Sequence, residues 1–200
     1  MRVMRFHSTV ALWVLVSCAP PAFAQTNLPP GAVALINEDR YGSLVALCAD
    51  TGEPAVQHGA RKVRGTAVWA GEDGHLTRIH AGPGACDPSW SPDGRRLAVT
   101  AAEGLWVFQA NSADGALRVE SRLPIGSIEF NYRAFSSPQW SPDGVLVGLV
   151  VTNLGTSWVE VFEASSGRLF YTSPPAHDKV TWTAARELKL GALEIRLSRR

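Results

Sequence analysis

The feature that most constrains the fold is the pentapeptide Trp90-Ser91-Pro92-Asp93-Gly94, which returns unchanged fifty residues later as Trp140-Ser141-Pro142-Asp143-Gly144. Proline presets φ for a turn, aspartate can bond its own backbone, and glycine accepts the positive φ that closes a reversal. An apolar, β-rich segment follows each copy, at 95–100 and 145–151. The pattern predicts hairpin turns within an internal repeat.

The tryptophans of the repeat are predicted to pack between stacked sheets, because an indole ring offers a large flat apolar surface. A degenerate third copy begins at Trp182, 42 residues after Trp140, and retains the tryptophan and an Arg-x-Leu segment. A period of about 40 to 50 residues is typical of a four-stranded propeller blade. The residues predicted to have this structural role are Trp90, Pro92, Asp93, Gly94, Trp140, Pro142, Asp143, Gly144 and Trp182.

Together with the segment 82–89 that precedes the first copy, these motifs resemble the repeat of TolB-like β-propellers, the WD40-like PD40 repeat. The resemblance covers about residues 76–190. It implies a periplasmic or secreted propeller and a role in protein binding. It carries over no catalytic residues, because the signature positions of the repeat are structural.

The predicted fold is all-β, a propeller-like domain at 32–200 with about four antiparallel, four-stranded blades. Its units lie near 32–82, 88–122, 138–172 and 179–200, and the last reaches only a third strand. In the first unit we expect strands at 32–36 and 43–49 around a turn at 37–42. Three arrangements fit the short last unit: a ring closed by the N-terminal strand, an open arc, or an arc completed by a second copy or a partner.

Residues 1–24 read as a signal peptide, with Arg2 and Arg5, an apolar core at 10–16 and the small-x-small site Ala22-Phe23-Ala24. Residues 25–31 would then be a linker. Alternatively, the segment 15–18 resembles a bacterial lipobox, in which Cys18 is lipidated and 19–31 forms a tether. Both interpretations place the protein outside the cytoplasm, in the periplasm, secreted, or anchored to the outer membrane. Membrane contact is expected only with lipidation of Cys18.

The charge balance does not suggest nucleic acid as a partner. The formal net charge is +1, and it becomes −1 without the two arginines of residues 1–24. Apart from Cys18, the sequence contains two cysteines, Cys48 and Cys86. In an oxidising compartment they form either one disulfide or two buried, inert thiols.

We expect no catalytic, cofactor or metal site. His75 and His80 would lie on opposite faces of a strand, and no zinc, calcium, nucleotide or nucleophile-elbow motif occurs in the sequence. The sequence therefore favours a non-catalytic protein-interaction module of the bacterial periplasm or cell envelope. The alternative is an enzyme: a propeller-type hydrolase, a lactonase-like protein, or the remnant propeller of a serine peptidase.

The connection at 123–137 contains a cluster of aromatic residues. They either pack over a blade edge or, with Phe130, Tyr132 and Arg133, contact an envelope protein, since exposed aromatics and arginine commonly anchor interfaces. Open blade edges also offer a route to self-association.

Overall fold

The computed structural model describes residues 28–53, 56–58, 61–63, 65–83, 86–101, 104–110, 116–124 and 133–198. Every regular element within these ranges is a β-strand. The strands are β1 (Ala34–Tyr41), β2 (Leu44–Asp50), β3 (Val56–His58), β4 (Arg61–Val63), β5 (Gly65–Glu72), β6 (His75–Pro83), β7 (Asp87–Trp90), β8 (Arg96–Ala101), β9 (Gly104–Ala110), β10 (Leu117–Pro124), β11 (Arg133–Trp140), β12 (Leu146–Asn153), β13 (Thr156–Glu163), β14 (Leu169–Thr172), β15 (Thr181–Ala184), β16 (Glu187–Leu190) and β17 (Leu193–Arg196).

The strands form four antiparallel sheets, which we call the first to fourth blades. Their strand orders are β1-β2-β5-β6, β7-β8-β9-β10, β11-β12-β13-β14 and β15-β16-β17. The short strands β3 and β4 pair with each other as a separate hairpin. This confirms the predicted all-β array of blades, in which the described part of the fourth blade has three strands.

The core lies between consecutive blades. In β8, Leu97 and Val99 face the first blade while Ala98 between them faces the third, because successive side chains of a strand point to opposite faces. The strand β12 repeats this arrangement, with Val147 facing the second blade and Leu146 the fourth. A strand buried on both faces needs apolar residues at nearly every position, which explains the continuous apolar runs after each repeat.

The two repeated turns have the same geometry. Gly94 N–H donates to Ser91 O over 2.9 Å, and Gly144 N–H donates to Ser141 O over 2.8 Å. The glycine φ angles are +66° and +67°, in the left-handed region that a side chain disfavours. Both serine hydroxyls are buried and donate to the following aspartate over 2.6 Å.

The predicted turn at 37–42 is wrong, because β1 continues to Tyr41 and the reversal is at Gly42. The polar residues that suggested a turn bind the second blade instead. Asn37 Nδ2 donates to Cys86 O over 3.0 Å, and Asp39 Oδ2 accepts from Trp90 N–H over 2.6 Å. Polar residues inside this strand therefore join two blades.

The predicted connection at 123–137 also extends too far, since β11 begins at Arg133. A register shift between Ser136 and Gln139 interrupts its pairing with β12. Ser137 has a φ of +52° at this bulge, and its N–H donates to Asp87 Oδ2 over 2.8 Å. The strand therefore begins five residues before the predicted position of 138.

In the structure a disulfide joins Cys48 in β2 to Cys86, which directly precedes β7. The two Cα atoms are 5.8 Å apart, and both residues are buried between the first and second blades. The signal-peptide segment and Cys18 lie outside the described residues. Within the described ranges, no helix has the length and apolar character needed to cross a bilayer.

Candidate functional site: a groove beside the fourth blade

A groove of about 570 Å³ runs between β14 of the third blade and β17 of the fourth. It is open to solvent at the outer strands of both blades. Its lining consists of Arg168, Leu169, Phe170, Tyr171, Thr172, Ile195, Arg196, Leu197 and Ser198.

The groove lies beside the outer edge of the fourth blade. Each of the first three blades has four strands, whereas the described part of the fourth has three, β15 to β17. In the third blade, β14 occupies the outer position that has no described counterpart in the fourth. Among the described residues, one side of β14 therefore extends beyond β17.

Apolar side chains form part of the groove wall, beside polar ones. Leu169 is 51% exposed, and Phe170, Tyr171 and Ile195 are half-buried against the core between the third and fourth blades. Burial raises the pKa of Tyr171 above its ordinary value of 10.0, so its hydroxyl is neutral and can donate a hydrogen bond at physiological pH.

Three arginines border these apolar residues. Arg168 Nε lies 3.8 Å from Glu163, and Arg196 Nε lies 3.4 Å from Glu187. The guanidinium of Arg186 stacks over Phe170, 5.5 Å from the ring centroid. Its Nη1 atom is buried and has no hydrogen-bond acceptor among the described residues. Arg186 is thus a cation beside the groove without an acidic partner in this part of the chain.

The predicted structural tryptophans lie between blades, and the turn residues of the repeat lie outside the groove lining. Trp140 Nε1 donates to Ser89 O and Trp182 Nε1 to Gln139 O, each over 2.9 Å. Both indoles therefore link consecutive blades. Arg96 also stacks 5.3 Å from the ring centroid of Trp140.

The predicted partner-binding residues fall largely outside the described part of the chain. Phe130 and Tyr132 lie in 125–132, which the structure does not describe. The backbone of Arg133 begins β11 and pairs with Asn153 of β12. Its side chain is also outside the described set, so the structure does not place this patch.

The groove was not predicted from the sequence. The sequence showed only that the last unit is short, and the apolar residues of β14 read only as part of a strand. Recognising the site would have required placing β14 opposite the missing fourth strand of the next blade, which depends on the tertiary packing.

Two acidic residues, Asp39 and Asp87, form hydrogen bonds that link consecutive blades. Asp39 of β1 binds the backbone of Trp90, and Asp87 of β7 binds the backbone of Ser137 and the side chain of Asn37. Among the described residues, no cluster of three or more histidine, cysteine or acidic side chains could hold a metal ion.

Among solved structures, the chain is similar to the acylaminoacyl peptidase of Pyrococcus horikoshii, with 12% identity, 78% of this chain and 27% of that chain covered, and a TM-score of 0.50. TolB of Acinetobacter baumannii has 14% identity, with 79% of this chain and 37% of that chain covered and a TM-score of 0.47. The propeller domain of the trilobed protease of Pyrococcus furiosus has 13% identity, with 78% of this chain and 47% of that chain covered and a TM-score of 0.47.

The chain spans less than half the length of each of these three proteins. No protein-family model matches it, and neither does any curated protein sequence. At such identities the likeness is one of fold alone. The chain is an open or incomplete array of propeller blades, which confirms the predicted fold class.

Proposed function

We propose that this protein is a non-catalytic interaction module of the bacterial periplasm or cell envelope, and that it binds a protein partner in the groove between β14 and β17. The observation that carries the proposal is the groove itself, in which Leu169, Phe170 and Tyr171 lie beside Arg168 and Arg196. The guanidinium of Arg186 stacks on Phe170 next to them. Interface centres commonly combine aromatic and arginine side chains in this way.

The location outside the cytoplasm is also part of the proposal. The N-terminal segment has the pattern of an export signal, with either cleavage after Ala24 or lipidation of Cys18. The disulfide between Cys48 and Cys86 supports export, because disulfides persist in oxidising compartments.

A propeller-type hydrolase or lactonase remains the alternative function. Such an enzyme would need an acid or base free to reach a substrate. The described carboxylates of Asp39 and Asp87 instead accept hydrogen bonds from backbone N–H groups of the next blade. These contacts give the two acids a structural role.

The loop residues Phe130 and Tyr132, with Arg133, remain a second proposed contact surface, argued from the sequence only. They do not enter the test below, which addresses the groove.

Site-specific photocrosslinking in the native host tests this function. A photoreactive phenylalanine analogue at Leu169 samples the groove, and the same analogue at Leu154 is the matched control, since Leu154 is 76% exposed in the turn between β12 and β13. We expect a discrete adduct with an envelope protein from position 169 and none from position 154.

The captured protein, once identified by mass spectrometry and purified, should bind the purified module. Leu169→Glu should weaken this binding at least tenfold, whereas Leu154→Glu should leave it unchanged. Equal adducts from both positions, or binding insensitive to Leu169→Glu, would exclude the groove as the contact surface.

A further inference from the structure

We propose that the ligand of the groove is an extended segment of another protein, which adds to β17 as a fourth strand of the fourth blade and carries acidic residues at one end. This inference rests on the proposed function and specifies its partner. Strand addition to an exposed sheet edge is a common way to bind peptides.

The backbone of β17 has a free outer edge with a defined pattern. Leu197 N–H donates to Arg186 O over 2.8 Å, so the backbone of Leu197 points towards β16. Because this direction alternates along a strand, Ile195 also points inwards, whereas Glu194 and Arg196 point outwards. No described strand pairs with that side of β17. Two residues therefore offer N–H and C=O groups to an added strand.

Side-chain alternation then defines what such a strand would meet. Ile195 and Leu197 lie on the face that packs against the third blade, and Glu194 and Arg196 lie on the opposite, exposed face. A residue of the added strand opposite Ile195 would enter the groove beside Leu169 and Tyr171. That position calls for an apolar side chain.

Charge complementarity defines the remaining positions. An acidic residue suits the position opposite Arg196, and a basic residue suits the position opposite Glu194. Arg186 pairs with Leu197 at the C-terminal end of β17 and its guanidinium stacks over Phe170, so a carboxylate opposite Leu197 would lie near this cation. For an antiparallel strand, the positions opposite Leu197, Arg196, Ile195 and Glu194 are therefore acidic, acidic, apolar and basic, in order from the N-terminus.

Two other occupants fit less well. A second copy pairing through its own β17 would bring its third blade onto the same face of the joined sheet, into the space that β14 occupies. The described start of this chain lies against the first blade, where Val33 N–H donates to Asp50 O over 2.7 Å. A single strand of another protein avoids both difficulties.

The test uses the full exported protein and a synthetic blocked peptide, Ser-Asp-Glu-Ile-Lys-Leu-Thr. Amide hydrogen exchange of β17 is followed by NMR with and without the peptide. At saturation we expect exchange of the Glu194 and Arg196 amides to slow at least tenfold, because each gains a hydrogen bond. The Ile195 amide, already bonded to β16, should change little.

The charge pattern is tested with a peptide in which acidic and basic residues are exchanged, and with Arg186→Met. Each change should weaken binding about tenfold, the effect of losing a charge-assisted hydrogen bond. Arg95→Met is the matched control, because it removes the same charge from an exposed turn of the second blade. Its affinity should equal that of the unmodified protein.

Several results would overturn the inference. Protection of the Glu194 and Arg196 amides in the free protein at low concentration would show that the chain covers its own edge. Protection that rises with protein concentration, together with a dimer in sedimentation, would identify a second copy. Peptide binding without protection at β17 would exclude strand addition. In each case the crosslinks from Leu169 still report separately whether the groove binds a protein.

Discussion

Ser91 and Ser141 occupy equivalent places in the two repeated turns, and their hydroxyls are fully buried. Each hydroxyl donates to the aspartate two residues later and accepts from the backbone N–H five residues later, over 2.9 Å. The serine thus satisfies polar groups that the turn would otherwise bury without partners. This role explains why the repeated pentapeptide contains a serine, which turn propensity alone does not explain.

Ser141→Ala should therefore lower the free energy of unfolding by roughly 1–3 kcal/mol, because it leaves the buried Leu146 N–H unsatisfied. Urea denaturation followed by tryptophan fluorescence measures the loss. Ser166→Ala, in an exposed turn of the same blade, should change the value by less than about 0.5 kcal/mol. Equal effects from both variants would argue against this role of the buried hydroxyl.

Asp93 is expected to make the first turn sensitive to acid. Burial raises the pKa of this carboxylate, but hydrogen bonds from Ser91 and the Arg95 backbone, with the charge of Arg96, lower it below its ordinary value of 3.8. A carboxylate with a lowered folded-state pKa stabilises the fold above its unfolded-state pKa, and this contribution is lost as pH falls through the folded-state pKa.

Asp93→Asn should consequently reduce stability most above about pH 4, and the difference from the unmodified protein should shrink as the pH falls below its ordinary pKa. Urea midpoints measured between about pH 2 and pH 7 test this expectation. A difference that stays constant over that range would mean that the charge of Asp93 does not contribute.

At the scale of elements, the sequence predicted the strands that are buried on both faces better than β1, whose polar side chains bind the next blade. The strands β8 and β12 follow a turn signal and consist of apolar residues, so local pattern and packing agree. In β1, by contrast, Asn37 and Asp39 bind groups about fifty residues away in sequence. Local propensity cannot detect such partners, and the strand therefore read as a turn. The groove depends in the same way on which blades are neighbours.

The disulfide links elements of two blades, and its removal should be costly. Cys48 and Cys86 are 38 residues apart, for which loop-closure entropy predicts about 4 kcal/mol. The double variant Cys48→Ala/Cys86→Ala should lose about 2–5 kcal/mol of unfolding free energy, measured in urea. Reducing agent should destabilise the unmodified protein similarly and leave the double variant unaffected. A stability insensitive to reductant would indicate that the bridge is absent or does not stabilise the fold.

At the scale of the whole molecule, the blades form a linear series. The three main clusters between sheets join the first blade to the second, the second to the third, and the third to the fourth. The face of the fourth blade turned away from the third is polar and exposed at Thr181, Thr183, Lys189, Glu194 and Arg196. Among the described residues, no further sheet packs on this face.

A linear array should lose structure locally when its last member is weakened, since each blade packs mainly on its neighbours. Leu188 is fully buried between the third and fourth blades, and Leu188→Ala should cost roughly 2–5 kcal/mol. In hydrogen–deuterium exchange we expect faster exchange in β15–β17 and in β12 and β13, which face them, while the first two blades keep their protection. Leu193→Ala, at a 45% exposed site of the same blade, is the control and should leave the pattern unchanged. Equal loss of protection in all four blades would instead identify one cooperative unit, in which the ends of the array depend on each other.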